Sequence, residues 1–138
     1  LSMAAYFEGL NLKGFSHYMK KQAEEELNHG MKIFDYAVDR KGTVVLESIE
    51  KPNAAWKSVL EAVQGALGHE RKVTELINGL MAIASDEKDN ATSVFLQWFI
   101  DEQVEEESQA DYLVEQLKLI GDSKSGLYLL DRELGQRK

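Results

Sequence analysis

Three long segments of this sequence place apolar residues at alternating spacings of three and four, the pattern of a helix that buries one face. The segments run over about 12–40, 56–84 and 91–120. The chain contains one proline, Pro52, and is rich in Glu, Lys, Leu and Ala, which favours helix over strand. The sequence therefore predicts an all-α protein.

Shorter signals mark the ends of these helices and add one more helix. Asn11 is suited to cap the first long helix, and Lys41 followed by Gly42 is typical of its end. Ser123 can cap a short helix over 124–134. We therefore expect a short helix after the last long one.

The two termini of the chain differ in character. Residues 1–9 have helical spacing but are fewer than the ~12 residues at which an isolated helix becomes marginally stable. We interpret them as the stub of a first helix, most of which would precede Leu1. Residues 135–138 are polar, and we expect them to be frayed.

Loop lengths constrain the directions of the helices. A helix of about 30 residues is roughly 45 Å long, so the link over 85–90 cannot traverse it, and its two helices must be antiparallel. The connection over 42–55 lacks helical spacing and can just span a helix, at up to ~3.3 Å per residue. The expected architecture is a single domain over 1–138, a four-helix bundle with one long crossover.

Each long helix face is apolar at both ends and polar in the middle. The interrupting residues are Glu26, His29, Glu70, Gln103 and Glu106. Because the midpoints of helices packed side by side lie at one level, we expect these side chains to meet in the core. Desolvation and mutual repulsion oppose ionised carboxylates there, so the three glutamates persist only if they are protonated or bound to a cation. A bound metal is the simpler explanation.

The ligand types narrow the choice of metal. Glu26 and His29 are three residues apart, so their side chains lie one above the other on a helix and can reach one ion. Carboxylate oxygens with a single imidazole suit iron or manganese better than zinc, and carboxylates that bridge from several helices favour a dinuclear site. The spacing does not choose between iron and manganese.

Taken singly, these residues have ordinary interpretations. The glutamate runs at 24–26 and 105–107 are most often solvated helix faces, because their members cannot all point inward. His29 alone is more often a satisfied core or surface histidine, and Gln103 alone is an ordinary interior polar residue. Glu70 is harder to dismiss, since its neighbours on the same face are apolar. The metal hypothesis depends on the whole set.

Composition excludes several classes of partner. A formal charge of −8 disfavours nucleic acid and anionic lipid, and no apolar run approaches the roughly 18 residues of a membrane span. The chain has no cysteine, which excludes disulfides and iron–sulfur ligation and makes a reducing cytosol the natural setting. We therefore expect a cytoplasmic protein without a targeting segment.

Three stretches of the sequence resemble prokaryotic non-haem ferritins. They are QAEEELNH at 22–29, FLQWFIDEQVEEE at 95–107 and LYLLDREL at 127–134. The similarity extends over essentially the whole chain, and it implies a ferritin-like bundle with a short fifth helix. Related bacterioferritins and rubrerythrins carry a second Glu-x-x-His on the last long helix, where this chain has Ser108 and Gln109. The resemblance is therefore to the branch without haem, and no haem is expected.

The resemblance also implies roles for individual residues. Glu26 and His29 would bind one iron, and Glu26 would bridge to a second iron. Glu70 and Glu106 would bind that second iron, with Gln103 beside the pair. Family members have a further glutamate ligand and a tyrosine on the first helix, and both would precede the stub.

A third iron position and an assembly are implied as well. The third position would use Glu25, Glu102 and Glu105, with Glu106 shared. The family oxidises Fe(II) with dioxygen or hydrogen peroxide and stores ferric mineral in a homo-oligomeric cage of 24 subunits. We expect this chain to form the cage if the first helix is supplied.

Two rival functions stay open at this point. One is a truncated or engineered ferritin bundle that retains assembly or metal binding without full ferroxidase activity. The other is a plain helical interaction domain whose interior glutamates are protonated. Metal uptake would separate the second rival from both ferritin interpretations.

Overall fold

The computed structural model describes residues 1–137, and within them it contains five α-helices and no strand. The helices are α1 Ser2–Gly9, α2 Lys13–Asp39, α3 Val59–Asp86, α4 Asn90–Ile120 and α5 Lys124–Leu134. The all-α prediction is confirmed, and the predicted short helix at 124–134 has the observed bounds of α5. Lys138, part of the tail that we expected to fray, lies outside the described residues.

Contacts along the chain define two compact units. The first comprises Leu1–Ala55 and the residues from Ser123 onward, and the second is Trp56–Asp122. The first unit thus contains α1, α2 and α5, and the second contains α3 and α4. The single domain over 1–138 and the crossover from α2 to α3 stay predictions.

The second unit is an antiparallel pair of helices. Only Glu87–Asp89 separates α3 from α4, and the core of the pair joins the end of one helix to the start of the other. The buried members of this core are Ile77, Ala84, Leu96 and Phe99. Trp98 packs edge-on against Phe99, with ring centroids 4.8 Å apart. The predicted antiparallel direction is confirmed.

The start of α3 corrects one predicted boundary. The apolar spacing predicted a helix from Trp56, but Ser58 has an extended backbone and its Oγ accepts a hydrogen bond from the Glu61 backbone N–H at 3.0 Å. The Glu61 carboxylate in turn accepts from the Lys57 N–H. This reciprocal cap begins the helix at Val59, because it satisfies backbone donors that lack helical partners there.

The ends of α2 and α3 also differ from the predictions. Lys41, rather than Gly42, adopts the left-handed backbone after α2, with φ of 63°, and the Gly42 N–H donates to the Ala37 carbonyl at 2.8 Å. Lys88 has the same role after α3, with φ of 56°. The six-residue link predicted at 85–90 is therefore only three residues long. A left-handed residue closes each helix by satisfying its last carbonyls.

In the first unit, a tight turn joins α1 to α2. Asn11 does not cap α2 as predicted, because it adopts a left-handed backbone in the turn and Leu12 becomes the N-cap residue without a side-chain bond. The two helices bury Phe7 and Phe15 completely, with ring centroids 5.1 Å apart. Aromatic packing therefore joins α1 and α2 at this turn.

Helix α5 packs directly on the backbone of α2. The Phe15 N–H donates to Asp131 Oδ1 at 3.0 Å, and a Cβ atom on Gly14 would lie 1.6 Å from the Asp131 carbonyl oxygen. Only glycine allows so close an approach. The tail after α5 is held as well, since Arg137 binds α2 side chains. The prediction of a frayed tail is wrong at Arg137, because that interaction joins residues far apart in sequence.

We predict that Gly14→Ala lowers the free energy of unfolding by about 3 kcal/mol, because the added methyl group meets backbone that cannot move without displacing α5. Urea unfolding followed by circular dichroism measures the change. Gly30→Ala is the matched control on the same helix, where an added Cβ meets nothing within 4 Å. The free energy of unfolding of this control should rise by about 1 kcal/mol, because alanine has a higher helix propensity than glycine. Equal effects at both glycines would contradict the close approach.

The pH dependence of stability should include a contribution from Glu8. Hydrogen bonds from Lys20 and Ser16, together with the charge of Lys20, hold the pKa of the Glu8 carboxyl below its ordinary value. A lowered folded-state pKa stabilises the fold above the unfolded-state pKa, and this contribution disappears as the pH falls through about 4.5 and below. At pH 7 the urea midpoint of the wild type should be higher than that of Glu8→Gln. The difference between the two midpoints should shrink towards pH 4. A pH-independent difference would contradict this assignment.

Candidate metal centre

Three polar side chains lie buried in the helical pair of the second unit. Glu70 on α3 is 7 % exposed, and Gln103 and Glu106 on α4 are 5 % and 4 % exposed. The buried residues of α4 otherwise are all apolar: Leu96, Phe99, Ala110, Leu113, Val114 and Leu117. The predicted polar interruption is thus observed on both helices.

Gln103 connects the two helices beside the carboxylate of Glu70. Its Nε2 donates to the Glu70 carbonyl oxygen at 3.1 Å and lies 3.4 Å from Glu70 Oε2. The same nitrogen lies 3.3 Å from Thr74 Oγ1. An amide in this position orients the Glu70 side chain, since its Nε2 can donate to the carboxylate oxygen.

Thr74 and Glu107 extend this network towards the surface. Thr74 Oγ1 lies 2.5 Å from Glu107 Oε1 and 3.1 Å from the Glu70 carbonyl oxygen, and its single proton can serve one of them at a time. Glu107 Oε2 lies 3.9 Å from Arg71 Nε. Thr74, Gln103 and Glu107 border a cavity of about 370 Å³ between α3 and α4. Sequence reasoning missed Thr74, although its position one turn after Glu70 is a usable signal.

The predicted Glu26 and His29 pair lies on α2 in the first unit. His29 Nδ1 is 3.5 Å from Glu26 Oε2, as the three-residue spacing on a helix predicts. The two side chains are partly exposed, His29 at 14 % and Glu26 at 40 %. They are therefore less buried than the carboxylates of the helical pair in the second unit.

The residues expected at a third metal position have varied surroundings. Glu25 on α2 is bound by Arg137, with Glu25 Oε2 and Arg137 Nη2 2.8 Å apart. On α4, Glu105 is exposed and accepts a hydrogen bond from Gln109 Nε2 at 2.8 Å, while Glu102 is partly buried. Of the two glutamate runs, only Glu106 faces inward fully.

The site residues thus divide between the two units, with Glu25, Glu26 and His29 in one and the remainder in the other. Neither unit, over the residues 1–137 that the structure describes, contains a ready group of three or more His, Cys, Asp or Glu side chains for a metal ion. The assembly of one dinuclear centre from both sets stays a prediction. No helix in the same range is long and apolar enough to cross a membrane.

Comparison with known proteins defines the class. Residues 1–120 match the ferritin-like domain family. Among solved structures, the open-pore ferritin of the hyperthermophilic archaeon Archaeoglobus fulgidus superimposes with a TM-score of 0.99 at 48% identity, covering 100% of this chain and 85% of that one. A humanized archaeal ferritin gives the same TM-score and identity, with 84% of its chain covered. The expected ferritin-like fold class is therefore confirmed.

Curated relatives place the chain more narrowly. It is 42% identical over 137 residues to the bacterial non-heme ferritin of Bacteroides fragilis, covering 99% of this chain and 85% of the relative. The bacterial non-heme ferritin of Staphylococcus epidermidis is also 42% identical, with 82% of its length covered. The chain belongs to the ferritin family of iron-storage proteins. The resemblance drawn from the three sequence stretches is confirmed.

We predict that Gln103→Met, which keeps the side-chain volume and removes the amide, lowers the free energy of unfolding by about 1–2 kcal/mol, because the hydrogen bonds to Glu70 are lost inside the protein. Chemical denaturation measures the effect. Gln97→Met is the control on the same helix, where the amide reaches only Asp101 on the exposed face. That change should cost a few tenths of a kcal/mol at most. A larger loss at Gln97 would count against the network.

Proposed function

We propose that this chain oxidises Fe(II) at a dinuclear centre of carboxylates and one histidine, and stores the ferric product as mineral in a multi-subunit cytoplasmic cage. The observation that carries the proposal is the burial of Glu70 and Glu106, together with Gln103, among apolar residues of α3 and α4. Two ionised carboxylates at such positions cost several kcal/mol unless a cation balances them, so the site is suited to bind one.

The proposed ligands match the chemistry of Fe(II). Glu26 and His29 would bind the first ion, with Glu26 bridging, and Glu70 and Glu106 would bind the second. Carboxylate oxygens with one imidazole form a donor set that favours iron over softer metals. The contact between Glu26 Oε2 and His29 Nδ1 supports the pairing of these two residues on one turn of α2.

The protein contributes binding and orientation. Gln103 holds the Glu70 carboxylate by a hydrogen bond, so that less reorganisation is needed when metal binds. Each Fe(II) gives up one electron, and dioxygen or hydrogen peroxide, as co-substrate, accepts the electrons. The side chains of the centre therefore do not change oxidation state.

A third iron position and a cage complete the proposal. Glu25, Glu102 and Glu105, with Glu106 shared, would form the third position. The cage is supported by exposed apolar side chains on α2 and in the 42–55 connection, which are typical of surfaces buried between subunits. The most exposed of these are Leu27, Val38, Val45, Leu46 and Ile49. We propose a homo-oligomer of 24 subunits.

The test is the rate of Fe(III) formation after anaerobic loading with Fe(II) and mixing with air, followed by absorbance. Glu70→Gln should lower this rate by about tenfold or more, because the carboxylate ligand becomes a weakly binding amide while the helix keeps its shape. His29→Ala should have a similar effect. Glu75→Gln, on the exposed face of α3, is the control and should oxidise iron as the wild type does.

The outcomes separate the candidate functions. Unchanged rates in Glu70→Gln and His29→Ala would remove the proposed centre. Tight binding of Fe(II) without rapid oxidation would favour a ferritin bundle that binds metal but lacks full activity. Size exclusion of the same samples tests the cage, because a small particle would contradict assembly.

A further inference from the structure

Arg137 at the end of the chain is bound to the face of α2 that carries Glu25. Its Nη2 is 2.8 Å from Glu25 Oε2, and its Nη1 donates to Gln22 Oε1. The guanidinium carbon lies 4.5 Å from the centre of the Tyr18 ring, where a cation–π contact adds to the attraction. All of these residues belong to the first unit. The guanidinium is therefore held at three points.

The backbone beside Arg137 has an anchor of its own. The Arg137 carbonyl oxygen accepts a hydrogen bond from His17 Nε2 at 2.7 Å. Helix α5, just before it, is tied to α2 through Asp131 and the Phe15 N–H. A change of the Arg137 side chain thus leaves these backbone contacts available, so the position of the tail and the charge of the guanidinium can be tested separately.

We propose that Arg137 controls the access of metal ions to Glu25 by holding its carboxylate until a dication displaces the guanidinium. The inference rests on the proposed function, in which Glu25 belongs to the third iron position. The Arg137 guanidinium occupies Glu25 Oε2 and, as a cation, also repels an approaching metal ion. The third position therefore fills only after the guanidinium moves aside.

This arrangement has a functional consequence for iron. A carboxylate that is shared between an arginine and a metal binds the metal more weakly than a carboxylate without a competing cation. The third position then fills at higher Fe(II) than the dinuclear centre and releases its ion more readily. Arg137 thus acts as a positioning residue that sets the affinity of this position, not as a ligand.

The test is an anaerobic Fe(II) titration of the full chain by calorimetry, which measures binding without oxidation. Arg137→Gln should tighten the weakest class of sites by about fivefold, the scale of one partly exposed ion pair. The affinities of the tighter classes of Fe(II) sites should not change. Arg132→Gln, which removes the same charge from an exposed position on α5, is the matched control and should leave all classes as in the wild type. Glu25→Gln should abolish the weak class, and the double variant Arg137→Gln/Glu25→Gln should not regain it.

Each other outcome has a definite meaning. Unchanged or weaker binding in Arg137→Gln, or equal tightening in Arg132→Gln, would overturn the role of Arg137. The absence of a weak class in every variant would overturn it too, because a released Glu25 would then create no metal position. If the wild type shows only the weak class of sites, and that class tightens in Arg137→Gln, the result would contradict the dinuclear centre and support this inference.

Discussion

The constraint that dominates the helical pair of α3 and α4 is the burial of Glu70, Gln103 and Glu106 among apolar neighbours. The transfer of a carboxylate from water into such surroundings is unfavourable unless hydrogen bonds or a cation compensate. Gln103 compensates part of this cost at Glu70, and the core around Phe99 keeps the two helices in the register that makes its hydrogen bonds possible. In the function that we propose, the binding of Fe(II) to these residues supplies further compensation.

The first unit is characterised by a close approach of two helix backbones, whereas the second is characterised by buried polar side chains. Gly14 lets the backbone of α5 approach α2, and that approach brings the end of the chain to the face that carries Glu25. A structural contact near one end of α2 therefore determines the surroundings of a proposed ligand about three turns further along the same helix. Packing and metal chemistry are connected here through Arg137.

The helices were predictable because their signals are local. The bounds of α5 and the end of α4 were predicted to the residue, since Ser123 and Gly121 mark them in the sequence. The start of α3 was missed by three residues, because apolar spacing continues to Trp56 while the cap at Ser58 decides where helical backbone begins. The approach of Gln103 to Glu70 was predicted, because both residues lie near the midpoints of their helices.

The sequence alone determined which residues share a helix face, because that depends only on the backbone repeat of about 3.6 residues per turn. It therefore identified the polar positions on each helix, while the resemblance of three stretches to non-haem ferritins identified the family. Only the tertiary structure decided how deeply each carboxylate is buried and which cation already holds it. Arg137 and Glu25 are 112 residues apart in the chain, and no periodic pattern relates them. Their contact exists because α5 packs on α2, and packing between distant segments depends on shape and excluded volume that a local pattern does not encode.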